Sequence, residues 1–386
     1  MPVPSAGGGD VRRCRTVAWP APEGAVGRCE GQAVLGSNKE ETTMSDGFVN
    51  ANISRRRLVQ VAGAAGVAAA LPATARLAGA QETLQIAFSV PGLNFPFFVH
   101  MMNLAQQHAE ELGGIEFLPL DGQEQGRPSS TKQSADLEAA VAQGITGLVI
   151  SPNDGAALGP AIQAAIDAGV TVVTVDRNVA ADVPTLAHVG ADNVRGGELQ
   201  GEYVLELLPN GGEIYELQGQ PGATPAIDRH TGLEQALAGQ DAVTVVVSQT
   251  AEFARDRAVQ VFESALAGNP EPAAVVCAND DMAFGVIEVA QAQGLENLPV
   301  IGFDALPEAL VAISEGRMAA TIEQFPGGQA RTALDILVAF LREGAEPAEH
   351  DTYLEPALLT ADDLAEAERA AEAGVGGAGA GATPAA

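Results

Sequence analysis

At 386 residues, 46% of them hydrophobic, the chain exceeds one typical domain and can bury more than one core, so two lobes are expected. A formal net charge of -30 argues against a nucleic-acid partner, because a phosphate backbone is gripped by Lys and Arg that displace its counterions. Lys39 and Lys132 are the only lysines, so almost every positive charge is an arginine.

In chain order, residues 1–43 show no periodicity and read as an N-terminal extension of doubtful standing ahead of Met44. Residues 44–80 read as an export signal. Ser54-Arg55-Arg56-Arg57-Leu58 has the twin-arginine form, an apolar stretch runs from Leu58 to Leu71, and Ala78-Gly79-Ala80 has the small-x-small form of a cleavage site. That stretch is shorter than the ~20 residues that span a bilayer, which favours a cleaved signal over an anchor. The mature chain would open at Gln81 as a soluble periplasmic or extracytoplasmic protein, with no lipid anchor since no cysteine sits at the cleavage point. Cys14 and Cys29 fall in the leader, which leaves Cys277 inside an apolar run; neither a disulfide nor a metal or redox role is expected.

From about Glu82 to Glu368, strand and helix patterns alternate. Strands are predicted at Leu84–Val90 and Ile115–Leu120, helices at Phe97–Leu112, Ser129–Gln143 and Ala156–Ala168, each helix followed by glycine. After Asp192-Asn193 the alternation restarts: a helix to Leu208, a strand Glu213–Leu217, a helix Thr224–Ala238, a strand Val243–Val247 and a helix Ala254–Ala267. Repeated β-α units imply right-handed crossovers, and the restart near residue 191 predicts an α/β protein of two doubly wound parallel-sheet lobes. Residues 370–386 read as a disordered Ala/Gly tail, and the glycines from Gly374 match a dinucleotide fingerprint by letter only, since no strand precedes them.

Four of the apolar runs end on polar side chains: Leu148-Val149-Ile150 at Ser151, Val172–Val175 at Asp176-Arg177, Val275-Val276 ahead of Asn279, and Val300–Phe303 at Asp304. Uniformly apolar strands are buried on both faces of a parallel sheet, and ligands bind beyond the carboxyl ends of such strands. These side chains are therefore expected to converge.

The motifs Asn94-Phe95-Pro96-Phe97-Phe98, Thr174-Val175-Asp176-Arg177, Glu216-Leu217-Gln218-Gly219, Asp228-Arg229, Phe253, Ala278-Asn279-Asp280-Asp281-Met282-Ala283, Gly302-Phe303-Asp304 and Ala320-Thr321-Ile322-Glu323-Gln324, in this order, resemble the periplasmic sugar-binding proteins of ABC transporters, of the ribose-binding type. The resemblance spans roughly Thr83 to Leu359. It implies two lobes joined by a three-segment hinge near Ala191, Gln324 and Tyr353, the first lobe being 81–190 with 325–352 and the second 191–324 with 353–369. It also implies a small sugar or polyol in the cleft, delivery to a membrane permease, and a monomer without cofactor.

The chemistry of the residues agrees with such a ligand. Sugar hydroxyls both donate and accept, and sugar rings have apolar faces. Asp176 and Asp304 are expected to accept, Arg177 and Arg229 to donate, Asn279 and Gln324 to do both, and Phe97, Phe98, Phe253 and Phe303 to sandwich the ring. Asn94, Phe95 and Ser151 complete the expected contact set; Phe95 and Ser151 stand where the family often carries amides, so a ligand with fewer hydroxyls on that side becomes plausible.

Plainer readings compete. Asp176-Arg177 could be a local ion pair, Phe303 could be core, and of Phe97 and Phe98, facing opposite ways, one could pack inward. Asp280 and Asp281 read as caps of a helix starting near Met282, and Arg229 as a cation in the first turn of its helix, where it needs an acceptor. A sensory or chemotaxis receptor for a sugar or furanose autoinducer would look alike. A Lac-repressor-like regulator would need a basic helix-turn-helix in place of the export signal. An enzyme is disfavoured, since no Gly-x-Ser-x-Gly elbow, phosphate loop or metal-spaced His pair is found.

Overall fold

The computed structural model describes Thr83–Val375 apart from Ala181 and Pro270. The extension, the export signal, its cleavage site and the end of the tail lie outside the described residues. The elements follow the alternation: β1 (Leu84–Val90), α1 (Pro96–Leu112), β2 (Ile115–Asp121), the short pair β3 (Gln123–Glu124) and β4 (Arg127–Pro128), α2 (Ser130–Gln143), β5 (Gly147–Ile150), α3 (Gly155–Asp167), β6 (Thr171–Val175) and β7 (Ala187–Ala191). Then come α4 (Asn193–Leu207), β8 (Gly212–Gln218), α5 (Thr224–Leu237), β9 (Val243–Thr250), α6 (Arg255–Gly268), β10 (Ala274–Cys277), α7 (Asp280–Ala292), β11 (Val300–Ile301), α8 (Pro307–Ser314) and β12 (Thr321–Glu323). The chain closes with α9 (Pro326–Glu343), β13 (Asp351–Leu354), β14 (Ala357–Leu359), a 3-10 turn at Leu364–Glu366 and α10 (Ala370–Ala373).

Local chemistry places the helix ends. Pro96 stands in the first turn of α1, where its missing N–H costs nothing. The side chains of Ser129 and Asp154 accept from backbone N–H groups at the starts of α2 and α3, and Gly144 ends α2 in the left-handed conformation.

Two sheets result. The first has the order β13-β7-β6-β5-β1-β2 and the second β11-β10-β8-β9, with all neighbours parallel. The central strands of both are buried on two faces. Phe88, Val149 and Val173 pack with Met101 of α1 and Leu334 of α9, while Ala87, Leu148 and Val172 pack with Leu137 of α2 and Leu158 of α3. In the second sheet Tyr215 and Val275 join the core that holds Phe262 and Met282, and Ile214 and Val276 meet Val204 and Leu233.

The chain passes between the sheets at Asp192, at Gln324-Phe325 and at Glu355-Pro356. The third crossing corrects the expected position at Tyr353: Tyr353 and Leu354 pair with Gly190 and Ala191 in the first sheet, and Ala357 is the first residue to pair with β12. The expected tail is corrected too. Ala370 is buried and α10 is capped by Gly374, because Leu364, Ala367 and Ala370 offer an apolar stripe that packs into the core.

Candidate functional site

The carboxyl ends of the strands point at one cavity, about 330 Å³ of space free of protein atoms, lined by Phe95, Phe97, Phe98, Asp176, Arg177, Pro225, Arg229, Phe253, Asn279, Asp304 and Gln324. Its walls come from loops after β6, β9, β10, β11 and β12, from the first turn of α1 and from the first two turns of α5. Three of these residues hang from left-handed backbone: Asp176 at φ 60°, Phe253 at φ 59° and Asp304 at φ 108°. Such conformations are strained for side-chain-bearing residues and cluster at ligand sites.

Asp176 accepts from Ser151 Oγ at 3.1 Å and lies 3.8 Å from Arg177 Nε. Arg177 donates to the Asn153 carbonyl at 3.0 Å and stacks 5.5 Å from the Phe98 ring centre and 5.6 Å from that of Phe253. On the opposite wall, Arg229 donates through Nε to Asn193 Oδ1 at 2.9 Å and through Nη1 to the Ala278 carbonyl at 2.6 Å. It also sits 3.7 Å from Asp304 and rides 3.5 Å over the Phe303 ring centre. Gln324 Nε2 donates to Asp304 Oδ1 at 2.6 Å.

All four charged side chains are at most 4% exposed. Burial raises the Asp176 carboxyl against the pull of Arg177 and Arg229. It pushes Asp304 up to about 7, with Arg229, Arg369 and Gln324 pulling it back. Burial likewise drives Arg177 down to about 10 and lowers Arg229. The arrangement is a small, buried, charge-balanced chamber with acceptors, planar donors, two amides and aromatic faces.

Ten of the thirteen residues singled out in the sequence line this cavity, and the other three take different places. Asn94 is exposed and borders an outer groove with Arg127, Gln220, Glu252 and Asp256. Ser151 is fully buried behind Asp176, whose carboxylate it orients. Phe303 is fully buried behind Arg229, whose guanidinium rides over its ring, and does not itself line the cavity. Phe97 and Phe98 both face the cavity, their ring centres 5.1 Å apart, because in a helix beginning at Pro96 consecutive residues differ by about 100° rather than by half a turn.

Two helix-start readings are corrected. The cap of α7 is Asn279, whose Oδ1 accepts from Met282 N at 3.0 Å. Asp280 instead points inward, fully buried, accepting from Leu306 N and from Thr321 Oγ1, each at 2.8 Å, while Asp281 pairs with Arg255 at 3.1 Å. Arg229 lies in the second turn of α5, which starts at Thr224, so its acceptors come from neighbouring elements and not from a helix end. Sequence reasoning missed Pro225, one turn before Arg229 on the same helix face, a neighbour that the i, i+4 spacing could have revealed. It also missed Asn153, Gln220 and Asn193, partners of the two arginines brought in by other loops.

A family profile described as a periplasmic binding protein domain matches residues 86–346. The ribose import binding protein RbsB of Escherichia coli (strain K12) is 34% identical over 274 residues, covering 71% of this chain and 88% of that relative. The ribose import binding protein RbsB of Bacillus subtilis (strain 168) is 36% identical over 249 residues, covering 64% and 78%. Among solved structures, the Caulobacter myo-inositol binding protein bound to myo-inositol superposes with a TM-score of 0.70 at 38% identity, covering 75% of this chain and 98% of that one. With its two parallel sheets, three chain crossings and a cavity at the strand ends, the chain belongs to the periplasmic binding protein family and has its type I fold.

Proposed function

We propose that this protein captures a monosaccharide or a cyclic polyol in the cavity between two lobes and delivers it to the permease of an ABC transporter, acting as a binding protein and not as an enzyme. The observation that carries this reading is the cavity itself. Residues of both lobes supply two carboxylates, two guanidinium groups, two amides and a set of phenylalanines around one enclosed space, the mix of polar groups and apolar faces that a hydroxylated ring requires. In this reading Asp176 and Asp304 accept from ligand hydroxyls, Arg177 and Arg229 donate, Asn279 and Gln324 do both, and Phe97, Phe98 and Phe253 cover the ring faces.

The lobes are taken as residues 81–190 with 325–354 and 191–324 with 357–375, rotating about the three crossings to admit the ligand. The protein works as an exported monomer, sent across the membrane by its twin-arginine signal. Myo-inositol heads the candidate ligands, because a 38%-identical neighbour was solved with it and because a ring hydroxylated on every edge can use polar groups on all walls. The test is a thermal-shift panel of the chain from Gln81 onward with myo-inositol, D-ribose, D-allose and glycerol. A ligand that binds only the folded state raises the melting temperature by mass action. Myo-inositol or one of the two aldoses is expected to raise it; no shift with any of the three at millimolar concentration overturns the reading.

A further inference from the structure

We propose that Arg369, which follows the last strand by ten residues, is a positioning residue that sets the charge and aim of the Asp304 carboxylate without touching the ligand. The idea rests on the cavity's being the ligand site, as proposed above. Arg369 is 2% exposed, and its Nη2 donates to the backbone carbonyl of Asp304. Its Nε makes no hydrogen bond within the protein, so direct bonding satisfies this guanidinium poorly. It lies within electrostatic reach of Asp304, Asp280 and Glu323, three buried acids whose ionised forms its charge favours.

The loop it grips is strained, with Asp304 at φ 108° and Ala305 at φ 48°. Thr321 Oγ1 accepts from Ala305 N at 3.1 Å, Asp280 accepts from Leu306 N at 2.8 Å, and Asp304 N donates to the Ile322 carbonyl at 2.8 Å. Those three contacts hold the loop from one side. Arg369 holds it at the Asp304 carbonyl, and adds a positive charge there to that of Arg229. The charged groups facing Asp304 are Arg229 of α5, Asp176 and Arg177 after β6, Asp280 of α7 and Arg369. Removing Arg369 leaves the acids in larger excess, which disfavours an ionised Asp304 and the acceptor role assigned to it.

The neighbouring residue ties the same segment down on both sides. Glu368 N donates to Glu323 Oε2 at 2.9 Å. Its carboxylate accepts from Gly327 N at 2.9 Å and Gly328 N at 3.1 Å at the start of α9, and lies 3.5 Å from His100 of α1. Both of those helices pack on the first sheet. Arg369 is thereby clamped in register with the loop it positions.

The experiment follows the Asp304 carboxyl by carbon NMR titration in ligand-free protein, its signal assigned by its loss in Asp304→Asn, for the parent, Arg369→Gln and Arg369→Lys. The dissociation constants of myo-inositol and D-ribose are measured at pH 6 and pH 8. In Arg369→Gln the Asp304 midpoint rises by about one pH unit, the scale of one lost opposite charge, and the sugar bound by the parent binds about tenfold more weakly at neutral pH. Arg369→Lys keeps the midpoint near that of the parent. An unmoved midpoint in Arg369→Gln overturns the proposal, even if the variant melts earlier. Should Arg369→Gln fail to fold, Arg369→Lys decides: a midpoint raised by a full unit despite the retained charge overturns it. A raised midpoint in Arg369→Gln, in a protein whose affinity is insensitive to Asp304→Asn, upholds the positioning and sinks the ligand reading of the cavity instead.

Discussion

Replacing Asp304 by Asn should move stability and affinity in opposite directions, both growing with pH. The side chain is 4% exposed, and burial holds its carboxyl near 7 against an ordinary 3.8. An acid raised on folding binds its proton more tightly in the folded chain than in the unfolded one, so its ionisation erodes stability as pH climbs from about 4 through 7. Integrating that linkage from pH 5 to pH 8 with these two values gives a loss of about 2.5 kcal/mol in the parent. Asp304→Asn is isosteric, its Oδ1 can still accept from Gln324 Nε2, and it does not titrate. Its melting temperature should therefore overtake that of the parent by roughly 5 °C or more across this interval, at ~2 °C or more per kcal/mol for a domain pair of this size. Binding should go the other way. A hydrogen bond to a charged acceptor contributes ~1.5–3 kcal/mol, which is about 10- to 150-fold in affinity, and the parent's advantage should appear as pH rises through 7. Calorimetric titration and melting curves at pH 5, 6, 7 and 8 provide both readouts. If the variant melts earlier at pH 8, or if parent and variant bind alike at every pH, the buried-acceptor reasoning is wrong.

Gly219 should tolerate no side chain, because a Cβ there would overlap the Phe253 ring; Gly219→Ala is expected to push that ring into the cavity and cost at least tenfold in affinity by calorimetry, with ~1–3 kcal/mol of stability lost to overpacking. Asp280→Ala strands the Leu306 N–H and the Thr321 hydroxyl and frees the strained loop, so it should lower both the melting temperature and the affinity. Asn279→Ala should cost ~1 kcal/mol of stability as a lost helix cap, measured by denaturant titration. Changing Arg55 and Arg56 together to Lys should leave an uncleaved, folded precursor in the cytoplasmic fraction, whereas deleting residues 1–43 should leave export intact; normal secretion of the double variant would point to the general secretory route.

The alternation of elements was legible because each relies on local signals: β-branched apolar runs for β5, β6 and β10, glycine after α1 and α2, proline at the start of α1. The convergence of Asp176, Arg177, Asn279 and Asp304 was legible for a related reason, since every strand of a parallel sheet ends on the same edge, and a polar residue just past an apolar run must lie there. Helix phase and helix starts were less so: Asp280 and Asn279 are neighbours with equal capping chemistry, and only the loop at Leu306, brought over from β11, drew one of them inward. Likewise the sequence marks Arg229 as a cation that needs an acceptor, but Asn193, Ala278 and Asp304 come to it from three other elements. Arg369 carried no signal at all, sitting in an Ala/Glu-rich stretch that reads as solvated surface until the turn at Leu364 folds it against β12 and the Asp304 loop. Periodicity and punctuation, which act over a few residues, thus determined the elements and the edge on which the site lies. Which groups are buried, paired and strained there depends on contacts between residues far apart in the chain, and those were decided only when the two sheets and the C-terminal segment packed together.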